Sequence, residues 1–595
     1  MRNEWNKLTD LAPRPLLTSC RQTLVEITLI FAVFAIQGAW PVPDVNEPHY
    51  LGKAIHYWNP DWLRGDFFME STDTHKVFDF AFGWLSLWLS PVALAWTGRI
   101  LTWLLLAWAW RRLSVAVVSR PWYSILTAAL FGCMMERCHM AGEWVIGGIE
   151  AKGFAYVFVF LGLESLVRNR WNRALLLFGA ASAFHVLVGG WAAIAAGVAW
   201  LSLNLPSPFG RGAGGEGTGL PSPFGRGVGG EGIAPPLRSL WFGILGGLLL
   251  SLPGLLPSLT LDWGADLQTT QQSHQLYVFE RLPHHLTLTG IRPEFIVRLI
   301  LLWVVWLLLG WWNKRSSLPT DRSDCLPRLR AFVTGTVAIT FVGVAIHLLI
   351  LVDRAMAANL LRYYWFRLTD VALPLGVALE GVALIVGVRG SCSSDEKNNS
   401  RGLFGKRLEV RQLSLSEKNV SRSPVQRRRA HGMRPCWLAF ALLVAAFHVG
   451  DRAIDRIAPR PPRSHRIADF DAWHKACLWV ANSGQIPPDA RFLTPRLAQT
   501  FKWYTNRSDV ATWKDVPQNA EKIVEWWDRI QDIFASGKQP PDSRWYGSLA
   551  EMGENRLRQL GAKYAANYAI TEVTDPPLQL DVVYQNRAYI IYRLR

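Results

Sequence analysis

The sequence predicts a mainly α-helical polytopic membrane bundle of about eleven spans, residues 1–450, followed by a small extracytoplasmic α/β domain, residues 451–595. Three observations predict it. Half of the 595 residues are hydrophobic and the mean hydropathy is positive, which is too apolar for a soluble chain of this length. Eleven apolar runs recur before residue 450. Beyond that point the pattern changes to short amphipathic and alternating segments bounded by Pro, Gly and Asn.

The runs lie near 24–40, 92–110, 121–138, 151–167, 172–187, 188–203, 238–258, 294–312, 331–352, 370–388 and 434–450. The first is followed by Pro and acidic residues rather than a small-residue cleavage site, so it reads as a span and not a removable signal. The fifth and sixth share one apolar stretch hinged near Gly189-Gly190. Thirty Trp suit a long membrane–water boundary, where the ring is buried and its N–H stays wet.

Charge orients the bundle. Arg2, Lys7, Arg14 and Arg21 place the N-terminus in the cytoplasm. Eleven spans then put Arg111-Arg112, the Arg168, Arg170 and Arg173 group, 314–330 and 389–434 inside as well. The outer face receives 41–91, 139–150, 259–293, 353–369 and everything after Gly450. This makes the protein an integral cytoplasmic (inner) membrane protein whose first partner is the lipid bilayer. The net charge of +17 follows the positive-inside rule and does not indicate nucleic acid. Residues 77–89 are too short to span and read as an interfacial helix, with Trp84 and Trp88 at the headgroups.

Two cytoplasmic insertions interrupt the bundle, 204–236 and 389–433. The first holds the near-copies "PSPFGRGAGGEG" and "PSPFGRGVGGEG", starting at Pro206 and Pro221, which lack the GK[ST] of a phosphate loop. Both insertions read as disordered low-complexity sequence. The seven Cys are scattered without a CxxC pair, and only Cys477 falls in the C-terminal domain. There, 469–482 reads as a helix with Trp473, Ala476, Cys477 and Val480 on one face, and 521–534 as a second. "ARFLTP", "AKYAANYAIT", "LDVVYQN" and "RAYIIYRLR" read as strands, the last two joined by a tight turn at Asn586-Arg587.

The chemistry concentrates in the outer loops. "PDVNEPHYLGKAIHYWNPDWLRGDFF", from Pro43, hands a span over to a dense set of carboxylates, imidazoles and rings. Pro41, Pro43 and Pro48 exclude a regular helix there and hold Asp44 and Glu47 in a fixed extended turn, partly wet. A partly desolvated carboxylate is a good general base or divalent-metal ligand. Asp66, Glu70 and Asp73 further along read as surface or helix-start residues. In "HMAGEWVIGGIEAKGFAY", Glu143 and Glu150 flank a Gly pair ahead of Lys152, which can pair with Glu150 or with headgroups. "YVFERLPHHLTL" groups Glu280, Arg281, His284 and His285, a set suited to an anionic phosphate rather than zinc. "NLLRYYWFRLTD" sets Arg362 and Arg367 among four aromatics, as span anchors or as cations for a lipid phosphate. His185 reads as a packed, hydrogen-bonded residue within the fifth span.

The Asp44, Glu47, His49 and Tyr50 set, directly after the first span, resembles the C-type (GT-C) membrane glycosyltransferases, which carry an acidic motif at this place. The large first outer loop, the many spans and the C-terminal outer domain extend the resemblance over most of the chain. Its specific part is small and departs from the usual adjacent acidic pair, being Asp-x-x-Glu. The chain also has the general shape of an uncharacterised bacterial membrane-protein family, which supplies no activity of its own. The GT-C resemblance implies transfer of a sugar from a polyprenyl-phosphate donor to an acceptor hydroxyl on the outer face. Asp44, Glu47, Glu143 and Glu150 are then the catalytic candidates, with either of the last two joining the first-loop motif. His49, Tyr50, Lys152, Arg281, His284, His285, Arg362 and Arg367 are the substrate-binding candidates. A divalent cation such as magnesium or manganese is compatible with this chemistry, with no ligands assigned. A transporter would instead show charges inside the spans and a two-half repeat; few such charges are visible, Glu164 being the main one. A non-catalytic scaffold is the remaining reading.

Overall fold

Each of the eleven apolar runs is helical in the computed structural model, which describes residues 19–204, 234–315, 325–386, 424–538 and 543–595. Arg2, Lys7 and Arg14, the repeats within 204–236 and the first part of the 389–433 tract lie outside the described residues. The helices are α1 (Cys20–Gly38), α2 (Glu47–Trp58), α3 (Lys76–Gly83), α4 (Pro91–Val118), α5 (Tyr123–Arg137), α6 (Ala151–Val167), α7 (Trp171–Phe184) and α8 (Val186–Asn204). Then come α9 (Trp241–Leu259), α10 (Leu267–Gln275), α11 (Pro283–Leu286), α12 (Pro293–Arg315), α13 (Cys325–Leu348), α14 (Arg354–Leu361), α15 (Arg367–Val386) and α16 (Pro424–Ile457). Among the described residues eight helices are long and apolar enough to cross a membrane: α1, α4, α8, α9, α12, α13, α15 and α16. The helices α5, α6 and α7 are shorter, at 15, 17 and 14 residues. The end of the 389–433 tract, expected to be disordered, is the start of α16, which also runs past Asp451 to Ile457.

Packing between apolar helices depends on close backbone approach, because lipid and Leu are equally apolar. Helix α7 illustrates this. It lies between α6 and α9, and a Cβ added at Gly179 would stand 2.1 Å from the carbonyl oxygen of Gly247. The pair α7 and α8 is indeed split, but at His185, whose extended backbone (φ −150°, ψ 102°) ends α7. Gly189 is not the hinge. It lets α8 fold back, since a Cβ there would meet Ser182 N at 2.1 Å.

More charge is buried in the bundle than the apolar runs suggest: Glu26, Arg99, Arg111, Glu164, Arg328, Asp370 and Glu380 are all buried. They have partners. Glu26 pairs with Arg111 at 3.1 Å, Glu164 with Arg168 at 2.7 Å, and Glu380 with Arg330. Arg328 donates to the Val167 carbonyl at 3.1 Å.

The C-terminal domain holds α17 (Phe470–Asn482), β1 (Arg491–Leu493), α18 (Phe501–Thr505), β2 (Ser508–Asp509), α19 (Ala520–Phe534), α20 (Gly553–Tyr564), β3 (Tyr568–Glu572), β4 (Asp581–Gln585) and β5 (Tyr589–Arg593). The sheet order is β2-β1-β3-β5-β4, parallel on the β1 side and antiparallel at β3-β5-β4. Successive residues of β5 point to opposite faces. Tyr589 and Ile591 join Trp473 of α17, while Ile590 and Tyr592 join Trp526 of α19 and Leu557 of α20. Both faces are covered, which is why "AYIIY" reads as an unbroken apolar run. The expected helix face of Trp473, Ala476, Cys477 and Val480 is fully buried. "AKYAANYAIT" is only half strand: its start closes α20, and β3 begins at Tyr568.

Candidate functional site

The first loop departs from its expected form. The chain turns at Asp44 and becomes helical at Glu47, with Pro48 in the first turn of α2. Proline is tolerated there because that N–H has no intrahelical partner. Neither carboxylate is wet. Glu47 and Arg99 are both 0 % exposed, with Nε to Oε1 at 2.6 Å and Nη2 to Oε2 at 2.7 Å. Ile149 N also donates to Glu47, at 3.0 Å. Asp44 receives a second fork: Arg463 Nε and Nη2 donate at 2.8 and 2.7 Å, and Gly148 N at 2.9 Å. Burial pushes the Asp44 carboxyl up, but the Arg463 fork and nearby Arg99 outweigh it and hold it below the usual carboxylate range. Asp44 and Glu47 thus tie the first loop to α4, to the second loop and to the start of the C-terminal domain.

The second-loop carboxylates stand differently. Lys152 Nζ lies 3.3 Å from Glu150 Oε2 and 3.7 Å from Glu143 Oε2, bridging the two. Glu150 also accepts from Asn46 Nδ2 at 2.8 Å and Trp144 Nε1 at 3.0 Å. Glu143 is buried beside two cations, with Arg367 Nε at 3.4 Å. Yet neither Glu143 oxygen accepts a well-aligned hydrogen bond among the described residues, nor does Arg367 Nε donate one. Glu143, Tyr156, His185, Trp191, Tyr364 and Arg367 line a cavity of about 20 Å³, room for one water. The Tyr156 phenol on the cavity wall also lies within reach of the Glu143 carboxylate, and a water in the cavity could complete its hydrogen bonding.

Aromatic hydroxyls and imidazoles surround this basin. Tyr277 and Tyr364 share a hydrogen bond at 2.7 Å, and the Arg367 guanidinium lies 3.8 Å from the Tyr364 ring centre. Tyr50 meets His75 edge-on at 5.1 Å, and His75 meets His185 at 5.3 Å. Burial, then Glu150, pushes the Tyr50 phenol well up, so it stays protonated and able to donate. His285 holds the second loop through Nδ1 and the Ala141 carbonyl at 2.6 Å, and its ring lies 4.1 Å from that of His284, tilted by 45°. Burial, then Arg281, lowers His284 to about 4.

The C-terminal domain roofs the basin. Arg281 donates to the Trp513 carbonyl at 2.8 Å, Gln518 reaches Asp73 at 3.0 Å, and Lys502 reaches Asp66 at 3.0 Å. Residues 471–533 match the family model of DUF6798, a domain of unknown function. No curated protein matches the chain. The matched segment runs from α17 through most of α19 and brings Lys502 to Asp66, Asp515 to His49 and the Trp513 carbonyl to Arg281.

Within it Lys514 stands out. Its ammonium has no ion pair or hydrogen bond among the described residues. Burial, then Arg281, pushes it down to about 7, with Glu150, Lys152 and Asp515 also within electrostatic reach. Asp515 is spoken for: Lys502 lies 2.9 Å away and His49 Nδ1 3.8 Å away. Burial lowers His49, with Asp515 opposing, so the imidazole is neutral at neutral pH.

The structure therefore gathers His49, Tyr50, Glu143, Glu150, Lys152, Arg281, His284, His285 and Arg367 about one basin. It does not bring Arg362 there: that side chain pairs with Asp262 at 3.1 Å and contacts His274. Among the described residues no group of three or more His, Cys, Asp or Glu side chains could hold a metal ion. The residues present do not fit the divalent cation that the resemblance admits, so no step is assigned to one. Sequence reasoning missed Arg99, Arg463, Asp370, Tyr364 and Lys514. Asp370 accepts from the backbone of Met140, Ala141 and Glu143 at 2.7, 2.8 and 3.2 Å, shaping the turn that carries Glu143. The available signal was a lone charge inside or at the mouth of an apolar run, as in "AWTGRILTW" and "RLTDVAL".

Proposed function

We propose that this is an integral membrane glycosyltransferase of inverting type, with eleven spans, a cytoplasmic N-terminus and an extracytoplasmic C-terminal domain. It transfers a sugar from a polyprenyl-phosphate donor to an acceptor hydroxyl. The placement is supported by the meeting, at one end of the bundle, of 41–90, 138–150, His185, 260–292, 352–366 and the C-terminal domain. Apart from His185, which was expected within the fifth span, these are the segments that charge assigns to the outer face.

The observation that carries the reaction is Glu143. Its carboxylate is buried between Lys152 and Arg367, within reach of the Tyr156 phenol, and it faces a cavity without a well-aligned hydrogen bond from either cation. That is the condition of a base awaiting a hydroxyl. Glu150 already accepts two hydrogen bonds, and Asp44 and Glu47 are held by guanidinium forks. In this reading Glu143 takes the acceptor proton, and the acceptor oxygen bonds to the anomeric carbon. The bond from that carbon to the phosphate oxygen breaks, and the polyprenyl phosphate leaves with the electron pair. Arg281 and Lys514 receive the added charge on the phosphate, since charge-assisted contacts are the strong ones. A cavity of about 20 Å³ admits no sugar, so the outer loops or the domain above them move outward for entry.

The test is transfer by purified protein in liposomes containing a labelled lipid-phosphate sugar. Glu143→Gln should lower turnover by ~10²–10⁴ with the protein still folded. Arg281→Gln should instead raise the donor KM, by the ~1.5–3 kcal/mol of a charge-assisted contact. Turnover that survives Glu143→Gln would remove this assignment, and absence of both transfer and donor binding would favour the non-catalytic reading.

A further inference from the structure

A second, larger hollow lies outside the basin. Gln268, Gln271, Gln272, Gln275, Leu276, Glu280 and Arg354 line a cavity of about 360 Å³. That is within the ~300–1,000 Å³ typical of small-ligand sites. The four Gln recur at three- and four-residue spacing, so they form one face of α10. Gln268, Gln271 and Gln272 are exposed and Gln275 half-buried, so their amides are open to solvent or a ligand, with no side-chain hydrogen bond among the described residues. Arg354 comes from a different element, the first residue of α14, and its guanidinium lies over the Phe279 ring, 4.1 Å from the ring centre. It too has no ion pair or hydrogen bond among the described residues. Glu280, at the other end, is anchored by Arg544 of the C-terminal domain at 2.9 Å.

The chemistry of this lining selects its ligand. Each Gln offers an acceptor oxygen and two N–H donors, and Arg354 adds a fork of donors. Glu280 and Arg354 offset each other in charge, so the hollow is no anion trap of the kind a phosphate or a nucleic acid needs. Repeated groups that both donate and accept match a ligand whose hydroxyls do the same. Leu276 provides an apolar floor. The next residue after Glu280 is Arg281, which reaches Trp513 at the roof of the basin.

We propose that this hollow binds a neutral oligosaccharide, the acceptor glycan of the proposed transfer; the acceptor role rests on that reading, while the binding itself does not. The test is calorimetric titration of the full-length protein in detergent with cellotetraose, maltotetraose, mannotetraose and chitotetraose. At least one should bind, and Gln272→Ala/Gln275→Ala should weaken it at least about tenfold, as the loss of two hydrogen bonds requires. Arg354→Met should weaken it as well, while the melting temperature of all variants stays at the wild-type value. If none of the four sugars binds wild-type protein, or if the Gln and Arg354 variants bind unchanged, the proposal is wrong. Glu143→Gln should bind the same sugar normally. Binding without any transfer would sink the enzymatic reading and leave the groove, whereas transfer with an acceptor KM indifferent to the Gln changes would sink the groove alone.

Discussion

Glu47 and Arg99 form a two-pronged ion pair at 2.6 and 2.7 Å with neither side chain exposed. It joins the start of α2 to the N-terminal half of α4, and it lies where the general base was expected. A buried pair of this kind is costly to break from one side, because the surviving charge is left without water or partner.

Glu47→Gln or Arg99→Met alone should therefore destabilise the protein by ~3–5 kcal/mol. The double change Glu47→Leu/Arg99→Met should recover much of that loss. Yield and thermal unfolding of the detergent-purified variants measure it. Single variants of wild-type stability would show that the pair contributes nothing to folding.

Lys514 yields a pH prediction. Its amine is pushed down to about 7, against an ordinary lysine near 10.4. Between those values the unfolded chain binds the proton more tightly, so stability rises with pH across the window and is flat below it. Replacing it by Met should make the protein more stable near pH 7 and remove up to ~1.4 kcal/mol per pH unit of slope. Unfolding followed by Trp fluorescence from pH 7 to 10, wild type against Lys514→Met, checks the sign.

The repeats should be replaceable. Trp200 Nε1 donates to the Pro235 carbonyl at 2.7 Å, so the two flanks of the described chain already meet. Closure cost changes by only ~0.6 kcal/mol per doubling of loop length. Exchanging 206–232 for a short Gly/Ser linker should leave the melting temperature within a few degrees. A collapse in yield would assign the repeats a structural role.

Orientation can be read with alkaline phosphatase fusions. One placed after Leu203 should be inactive and one at Arg595 active, as eleven spans require. The reverse at either position overturns the count.

The helices of the bundle were legible because each is a local property: an apolar run long enough to be a helix. The same holds for α17, α19 and β5, whose apolar spacing shows their period. Helix α20 was missed because its period lies in a few residues, Leu557, Leu560 and Gly561, ahead of a strand.

What the sequence by itself determined is the helical bundle, the change of character near 450 and the set of polar loops between the helices. It also singled out most of the residues that meet there. What only the tertiary structure decided is which carboxylates are occupied. Asp44 and Glu47 look free along the chain, yet their partners, Arg463 and Arg99, stand 419 and 52 residues away. Glu143 looks no different from Glu150 in sequence, yet Glu150 accepts from Asn46 and Trp144 through one oxygen while Glu143 faces a cavity beside Tyr156 and Arg367. The reason is physical. Whether a carboxylate is a strut or a base depends on the donors within about 3 Å of it. Those donors are brought by folding from segments that no local pattern connects.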